Sequence, residues 1–162
     1  MSDEKKQILI LLVENKPGVL MKISSLCRRR RFNIDSLTVG ASHLPNISQI
    51  TLVFQEDRIK LKNISNQFNK LIEVISVQIV ERKEIVDKEL VLVIVKNKKV
   101  AYKMLEKNTH DFSVRMVNNN KGKSVLEMVG SGAEIEAALN SLDMKKEVIK
   151  LVRSGLIAIK LN

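Results

Sequence analysis

The sequence predicts an α+β protein of two small domains, each with the element order βαββαβ. Short runs rich in isoleucine, leucine and valine alternate with stretches of helical periodicity, and polar turns separate them. The same order returns more loosely in the second half, after a charged stretch. A chain of 162 residues can form one domain or two small ones, and the repeated order favours two.

The first domain is predicted to begin with a strand and a helix. Residues 7–13 are a continuous apolar run, too short for a helix and rich in branched side chains. Residues 15–18 then end the strand, and Pro17 suits the first turn of the helix that follows. The apolar residues of that helix lie on or beside one face: Val19, Leu20, Ile23, Leu26 and Cys27.

A hairpin and a second helix complete the first domain. Residues 34–41 and 47–54 are predicted strands, joined by a turn that contains Pro45. Asp57 is placed to cap the next helix, and residues 74–80 return to a branched strand. This order is ferredoxin-like, an antiparallel four-stranded sheet with both helices on one face. The other face of the sheet therefore needs a cover.

The second half repeats this pattern after residues 81–88, whose charge suggests a linker. Its predicted elements are a strand at 89–96, a helix at 100–107, strands at 113–118 and 123–129 around a polar turn at 119–122, a helix marked by Ile135, Ala138, Leu139 and Leu142, and strands at 149–152 and 156–161. We therefore expect two ferredoxin-like domains, residues 1–82 and residues 83–162.

The basic charge of the chain does not indicate a nucleic-acid binder. The net charge is +10, and it is spread evenly over the two halves. Only the run Arg28–Arg31 is concentrated, and aromatic residues make up 3% of the chain. A nucleic-acid binder normally adds interleaved aromatic residues or a reading helix to such a run. We expect no nucleic-acid partner.

Candidate catalytic and metal-binding residues are few. His43 and His110 are isolated and lack the spacing of a metal site. Cys27 is the single cysteine, which excludes an internal disulfide and fits a reducing compartment. Residues 130–132 lack the pattern of a phosphate-binding loop, and no apolar run approaches the roughly 18 residues of a membrane span. We predict a cytoplasmic protein without catalytic residues, metal or cofactor.

The junction between the first strand and the first helix is the remaining candidate site. It contains Asn15, Lys16, Pro17 and Gly18. Free backbone N–H groups and the positive end of the helix dipole can hold a carboxylate there, such as that of an amino acid. An ordinary tight turn is the alternative, because proline and glycine end many loops that bind nothing.

Two segments of the chain carry a family resemblance. Val-Glu-Asn-Lys-Pro-Gly-Val-Leu at 13–20 and Phe-Asn-Ile-Asp-Ser-Leu-Thr-Val at 32–39 resemble the start of acetohydroxyacid (acetolactate) synthase small subunits, which begin with an ACT domain. The similarity continues, nearly to the end of the chain, at residues 47–53, 66–74, 82–92 and 153–155. One departure is Arg31, where the family usually has glycine before the aromatic residue.

The resemblance implies a non-catalytic regulatory subunit of branched-chain amino acid biosynthesis. Such a subunit activates the large catalytic subunit of acetolactate synthase and confers feedback inhibition by valine or another branched-chain amino acid. Thiamine diphosphate, magnesium and FAD then belong to the catalytic partner, and this chain carries no cofactor. The alternative is a free-standing ACT sensor that regulates another enzyme.

The resemblance also implies a homodimer whose ACT domains hold the effector between them. The implied effector-binding residues are Asn15, Lys16, Pro17, Gly18, Val19 and Leu20 from one chain, with Asn33 and Ile34 from the other. Asn33 would give polar contacts and Ile34 an apolar wall. The residues themselves agree at Gly18, where a ligand could approach the backbone, and at Asn15 and Asn33, which offer donors and acceptors. Asn33 as a simple turn residue is the alternative.

Overall fold

The computed structural model describes residues 6–120 and 122–161. The chain divides into two compact units: one runs to Val86 and includes the residues from Ala158 onward, and the other is Asp87–Ile157. The boundary after Val86 falls within residues 81–88, and the residues from Ala158 onward group with the first unit. Lys121, in the predicted polar turn, lies outside the described residues.

The first unit contains the predicted βαββαβ order. Its elements are β1 (Gln7–Glu14), α1 (Val19–Arg29), β2 (Ile34–Ala41), β3 (Ile47–Phe54), α2 (Arg58–Phe68) and β4 (Val74–Val80). The strands form one sheet in the order β2-β3-β1-β4, and every neighbouring pair is antiparallel. The ferredoxin-like arrangement is therefore confirmed.

The core of the first unit lies between the sheet and the two helices. Leu9, Leu11 and Val13 alternate along β1 and face the helices, as the two-residue period of a strand requires. Asp57 caps α2 as predicted, because its Oδ1 accepts a hydrogen bond from the Lys60 N–H at 2.8 Å. Residues of α1 and α2 supply the other side of this core: Val19, Ile23, Leu26, Cys27, Leu61, Ile64 and Phe68.

The start of α1 differs from the prediction. Gly18 is the N-cap residue and adopts a left-handed conformation with φ of 88°, and the helix begins at Val19. Pro17 therefore precedes the helix, and its predicted place in the first turn was wrong. The sequence suggested Pro17 because its fixed φ suits a helix start, but the left-handed Gly18 lets the chain turn one residue later.

The second face of the first sheet is covered within the chain. Ile8, Ile10 and Val53 lie on this face, and each is at most 6% exposed. The final strand contributes to the cover, since the Gln49 side-chain amide donates a hydrogen bond to the Ala158 carbonyl at 2.8 Å. The chain itself thus supplies part of the cover that the sequence predicted for this face.

The second unit repeats the order of the first. The remaining elements are β5 (Ile85–Val95), α3 (Lys98–Leu105), β6 (Ser113–Asn120), β7 (Lys123–Gly130), α4 (Gly132–Asn140), β8 (Val148–Arg153) and β9 (Ile157–Lys160). The strands follow the order β6-β7-β5-β8, which matches that of the first sheet, and β9 also pairs with β5. Residues 130–132 form a strand-to-helix turn, as expected.

The predicted linker at residues 81–88 is largely structured. A short 3₁₀ turn, Arg82–Glu84, leads into β5, which begins at Ile85. Ile85 is buried. The Asp87 carboxylate accepts a hydrogen bond from the Gly132 N–H at the start of α4, at 2.9 Å. Charged residues with such partners can belong to a strand, so β5 starts before the predicted residue 89.

Candidate effector-binding site

The loop between β1 and α1 is exposed and held by backbone hydrogen bonds. The Asn15 N–H donates to the Asn46 carbonyl at 2.8 Å, and the Lys16 N–H donates to the Glu14 carbonyl at 2.9 Å. Gly18 then turns the chain into α1. A β-carbon built on Gly18 would meet no atom within 4 Å. The surface above this glycine is therefore open to a ligand.

The first turn of α1 presents free N–H groups. The first α-helical hydrogen bond runs from the Lys22 N–H to the Gly18 carbonyl at 3.0 Å. Within the described ranges, the N–H groups of Gly18, Leu20 and Met21 donate to no acceptor, and no side chain caps the helix. Unsatisfied donors at the positive end of a helix dipole attract a carboxylate. This loop can therefore bind the carboxylate end of a small molecule.

Two ion pairs flank the loop. The Lys16 ammonium lies 2.8 Å from the Glu14 carboxylate, and this hydrogen bond raises the pKa of Lys16. Lys22, in the first turn of α1, contacts the carboxylate of Glu73, which lies just before β4. The hydrogen bond from Lys22 lowers the pKa of Glu73. Both cations therefore have a carboxylate partner, whereas, among the described residues, the backbone N–H groups of Gly18, Leu20 and Met21 do not.

Sequence reasoning missed the residues that surround the loop from other strands. Glu14 pairs with Ile47 in β3, so the end of β1 lies beside Asn46. Val13 pairs with Val74 in β4, so the same end also lies beside Glu73. The antiparallel order β3-β1-β4 was the signal that could have placed both residues here, because the starts of β3 and β4 must meet the end of β1.

Val19 and Leu20, the two predicted site residues at the start of α1, have different surroundings. Val19 is 5% exposed and packs in the core of the first unit, so its side chain faces away from the surface. Leu20 is 43% exposed and its neighbour Met21 is 67% exposed. Leu20 is thus the apolar side chain of this segment that is available to a ligand or a partner surface.

Asn33 and Ile34 lie at the other end of α1. The Asn33 amide donates a hydrogen bond to the Asp35 carboxylate at 3.2 Å, and Ile34 is half-buried against the core. A helix of 11 residues is roughly 16 Å long. The structure therefore does not bring Asn33 and Ile34 to the loop within one chain.

The histidines and the cysteine of the described residues lie apart from one another. His43 and His110 are exposed and isolated, and no cluster of three metal-ligating side chains occurs among the residues with assigned positions. Cys27 is free and 1% exposed, so it is a core residue. This burial raises the pKa of its thiol to about 11. No helix of residues 6–120 and 122–161 is long and apolar enough to cross a membrane.

The first unit, a ferredoxin-like fold with an open glycine loop before its first helix, is of the ACT-domain class because it matches the family model of such a domain. A family model for the AHAS small subunit-like ACT domain matches residues 9–76, and one for the small subunit of acetolactate synthase matches residues 88–162. A probable acetolactate synthase small subunit of Archaeoglobus fulgidus is 33% identical over 153 residues, 94% of this chain and 95% of the relative. The chain belongs to the family of acetolactate synthase small subunits, which are the non-catalytic regulatory partners of that enzyme.

Further comparisons agree along the full length. The acetolactate synthase small subunit of Mycolicibacterium smegmatis is 33% identical over 151 residues, 93% of this chain and 88% of the relative. The crystal structure of the acetolactate synthase small subunit from Thermotoga maritima superposes with a TM-score of 0.82 and 29% identity, covering 96% of each chain. The family inferred from the two sequence segments is confirmed.

Proposed function

We propose that this regulatory subunit binds the large catalytic subunit of acetolactate synthase, raises its activity and transmits feedback inhibition by a branched-chain amino acid, with valine the expected effector. Thiamine diphosphate, magnesium and FAD belong to the catalytic partner in this proposal, and both subunits act in the cytoplasm. The observation that carries the proposal is the open loop at Gly18, where free N–H groups face solvent at the start of α1.

The effector's carboxylate binds at this loop in our proposal. An amino acid brings a carboxylate that matches the N–H groups of Gly18, Leu20 and Met21. The side-chain amide of Asn15 is exposed beside them and can bind the ammonium or the carboxylate. Leu20 offers exposed apolar surface for a branched side chain. The Lys16 ammonium already pairs with Glu14, so we assign Lys16 a supporting role.

The homodimer that completes the site forms through β2 in this proposal. β2 is an edge strand of the sheet, and its last three residues, Val39, Gly40 and Ala41, are exposed. An unpaired edge strand presents free N–H and carbonyl groups to a second strand. Pairing of two β2 strands across a two-fold axis extends the sheet from one chain into the other.

This pairing brings the two halves of the predicted site together. β2 is antiparallel to β3, and β3 is antiparallel to β1, so β2 ends at the edge of the sheet where the loop after β1 lies. In an antiparallel pair the partner's β2 runs in the opposite direction and begins at that edge. Asn33 and Ile34, which precede or begin β2, therefore approach the loop from the second chain.

Valine binding tests the site directly, by titration calorimetry on the full chain. Gly18→Ala adds a methyl group where the ligand approaches, and we expect the affinity to fall at least about tenfold, which corresponds to about 1.4 kcal/mol. Gly122→Ala is the matched control: Gly122 also has a positive φ, and its added β-carbon also meets no atom within 4 Å. Equal effects of the two substitutions would show that backbone strain, not ligand contact, is being measured.

The dimer is tested by sedimentation. Val39→Lys places a charge on the β2 edge, and we expect it to shift the chain to monomer and to weaken valine binding. Val117→Lys is the control, because Val117 has similar exposure, 46% against 47%, and lies on β6. A monomeric Val39→Lys variant that binds valine as well as the original chain would contradict a site shared between two chains.

A further inference from the structure

A cavity lies on the helical side of the first unit. Its volume is about 560 Å³, within the range of small-molecule sites. Its polar and aromatic lining residues are Arg30, Phe32, Asn63, Asn66, Gln67 and Lys70. None of them belongs to the loop after β1, so this cavity is separate from the proposed effector site.

The lining residues come from two elements. Asn63, Asn66, Gln67 and Lys70 follow one another at helical spacing, so they share one face of α2 and of the turn that follows it. On the other side, Arg30 is the C-cap residue of α1 and Phe32 follows two residues later. The cavity thus lies between the end of α1 and the face of α2.

The turn that ends α1 carries an unusual residue. Arg31 has a φ of 58°, a left-handed conformation in which glycine is favoured. The Arg31 N–H donates to the Arg28 carbonyl at 3.1 Å and the Phe32 N–H to the Cys27 carbonyl at 2.9 Å. A glycine would make this turn without strain, yet the chain places a fourth consecutive arginine here. Arg31 therefore adds a positive charge next to the lining residues Arg30 and Phe32, in a backbone conformation that is strained for any residue except glycine.

The polar groups of the cavity are unused within the protein. In the described part of the chain, Arg30 and Lys70 form no ion pair, and the side-chain amides of Asn63, Asn66 and Gln67 form no hydrogen bond. The lining contains no carboxylate. Two cations and three amides consequently face the same space with no negative group to balance them.

We propose that this cavity binds a small anion that carries two acidic groups, such as a diphosphate or a short dicarboxylate. The Arg30 guanidinium can form paired hydrogen bonds to one acidic group, and the Lys70 ammonium can bind the other as a point charge. The three amides can donate to the remaining oxygens. Phe32 directly precedes Asn33, so the bound anion contacts the segment that leads to the proposed effector site.

Titration calorimetry on the full chain at constant ionic strength tests this proposal, with pyrophosphate and malonate as separate probes. We expect saturable binding of at least one probe, and the tighter probe identifies the phosphate or the carboxylate class. Arg30→Gln and Lys70→Gln should each weaken that binding about tenfold, because each removes a charge-assisted hydrogen bond. The readout does not depend on valine binding or on the catalytic subunit.

Two matched variants control for charge alone. Arg29→Gln and Lys62→Gln remove the same charge from the same two helices, but neither residue lines the cavity. We expect both to leave the affinity within about twofold. Absence of saturable binding for both probes would overturn the proposal. Equal weakening by the control variants would also overturn it, since binding would then follow the overall charge of this surface.

Discussion

The Arg153 guanidinium forms two hydrogen bonds to the Glu89 carboxylate, 2.8 Å from Nε and 2.6 Å from one terminal nitrogen. Its other terminal nitrogen donates to the Glu136 carboxylate at 2.8 Å. Glu89 is only 5% exposed. This arrangement joins the end of β8 to β5 and α4. The charge of the buried Glu89 carboxylate is balanced by Arg153.

Arg153→Gln should therefore destabilise the second unit. We expect the free energy of unfolding to fall by about 2 kcal/mol, below the usual cost of breaking a buried pair because Arg153 is partly exposed. The measurement is a urea unfolding curve of the full chain. Arg115→Gln is the control, since it breaks a pair with Glu127 in which the arginine is 72% exposed, and it should cost less than about 1 kcal/mol. Similar costs would contradict this account of Arg153.

Lys22 should control the titration of Glu73. Because the hydrogen bond from Lys22 lowers the pKa of Glu73 in the folded chain, the stability that this pair contributes is present at neutral pH and is lost as the pH falls through the folded pKa. Lys22→Met should raise the pKa of Glu73 towards the ordinary glutamate value of about 4.3. Carboxyl carbon NMR titration measures this shift.

The control for this titration is Lys60→Met, which removes a lysine that pairs with Glu56 in a different part of the first unit. It should leave the pKa of Glu73 unchanged. If Lys22→Met also leaves it unchanged, the contact between Lys22 and Glu73 does not persist in solution.

Cys27 should resist alkylation in the folded protein. Its side chain is 1% exposed and its thiol pKa is raised to about 11, so only roughly 0.1% is thiolate at pH 8. Iodoacetamide labelling followed by mass spectrometry should show almost no reaction in buffer and full reaction in urea. Rapid labelling of the native chain would place Cys27 outside the core.

Gly130 should not tolerate a side chain. An added β-carbon would lie 2.7 Å from the ring of Phe112 and 3.1 Å from the Glu134 carboxylate. Phe112 is buried and has little room to move. We expect Gly130→Ala to cost about 1–3 kcal/mol of unfolding free energy, as overpacking does. Gly40→Ala, whose β-carbon would meet no atom within 4 Å, should change stability by less than about 0.5 kcal/mol.

The fold of the first unit could be predicted because its signals are local. β2, β3 and β4 have the predicted bounds, since each is a run of branched residues between turns. β5 starts at Ile85, before the predicted residue 89, and this difference had another origin. The Asp87 carboxylate accepts a hydrogen bond from Gly132, a partner that is distant in sequence, so local sequence patterns indicated that this charge was exposed to solvent.

The candidate site was predictable only in part, for the same reason. The loop after β1 could be found from its proline and glycine, but the pairing of Lys22 with Glu73 spans 51 residues and needs the sheet register. Val19 was assigned to the site through the family resemblance, while its helical spacing with Ile23 had already placed it in the core. The structure agrees with the spacing. The proximity of Arg30 and Lys70 follows from helix packing and has no local signal.

The most direct test of the central proposal is acetolactate formation by the cognate catalytic subunit, with and without this chain and with and without valine. We expect the chain to raise the rate and valine to lower the raised rate. Gly18→Asp should keep the stimulation and lose the inhibition, because its carboxylate would repel that of valine at the open loop. A folded chain that leaves the rate of its catalytic partner unchanged would contradict the proposed function.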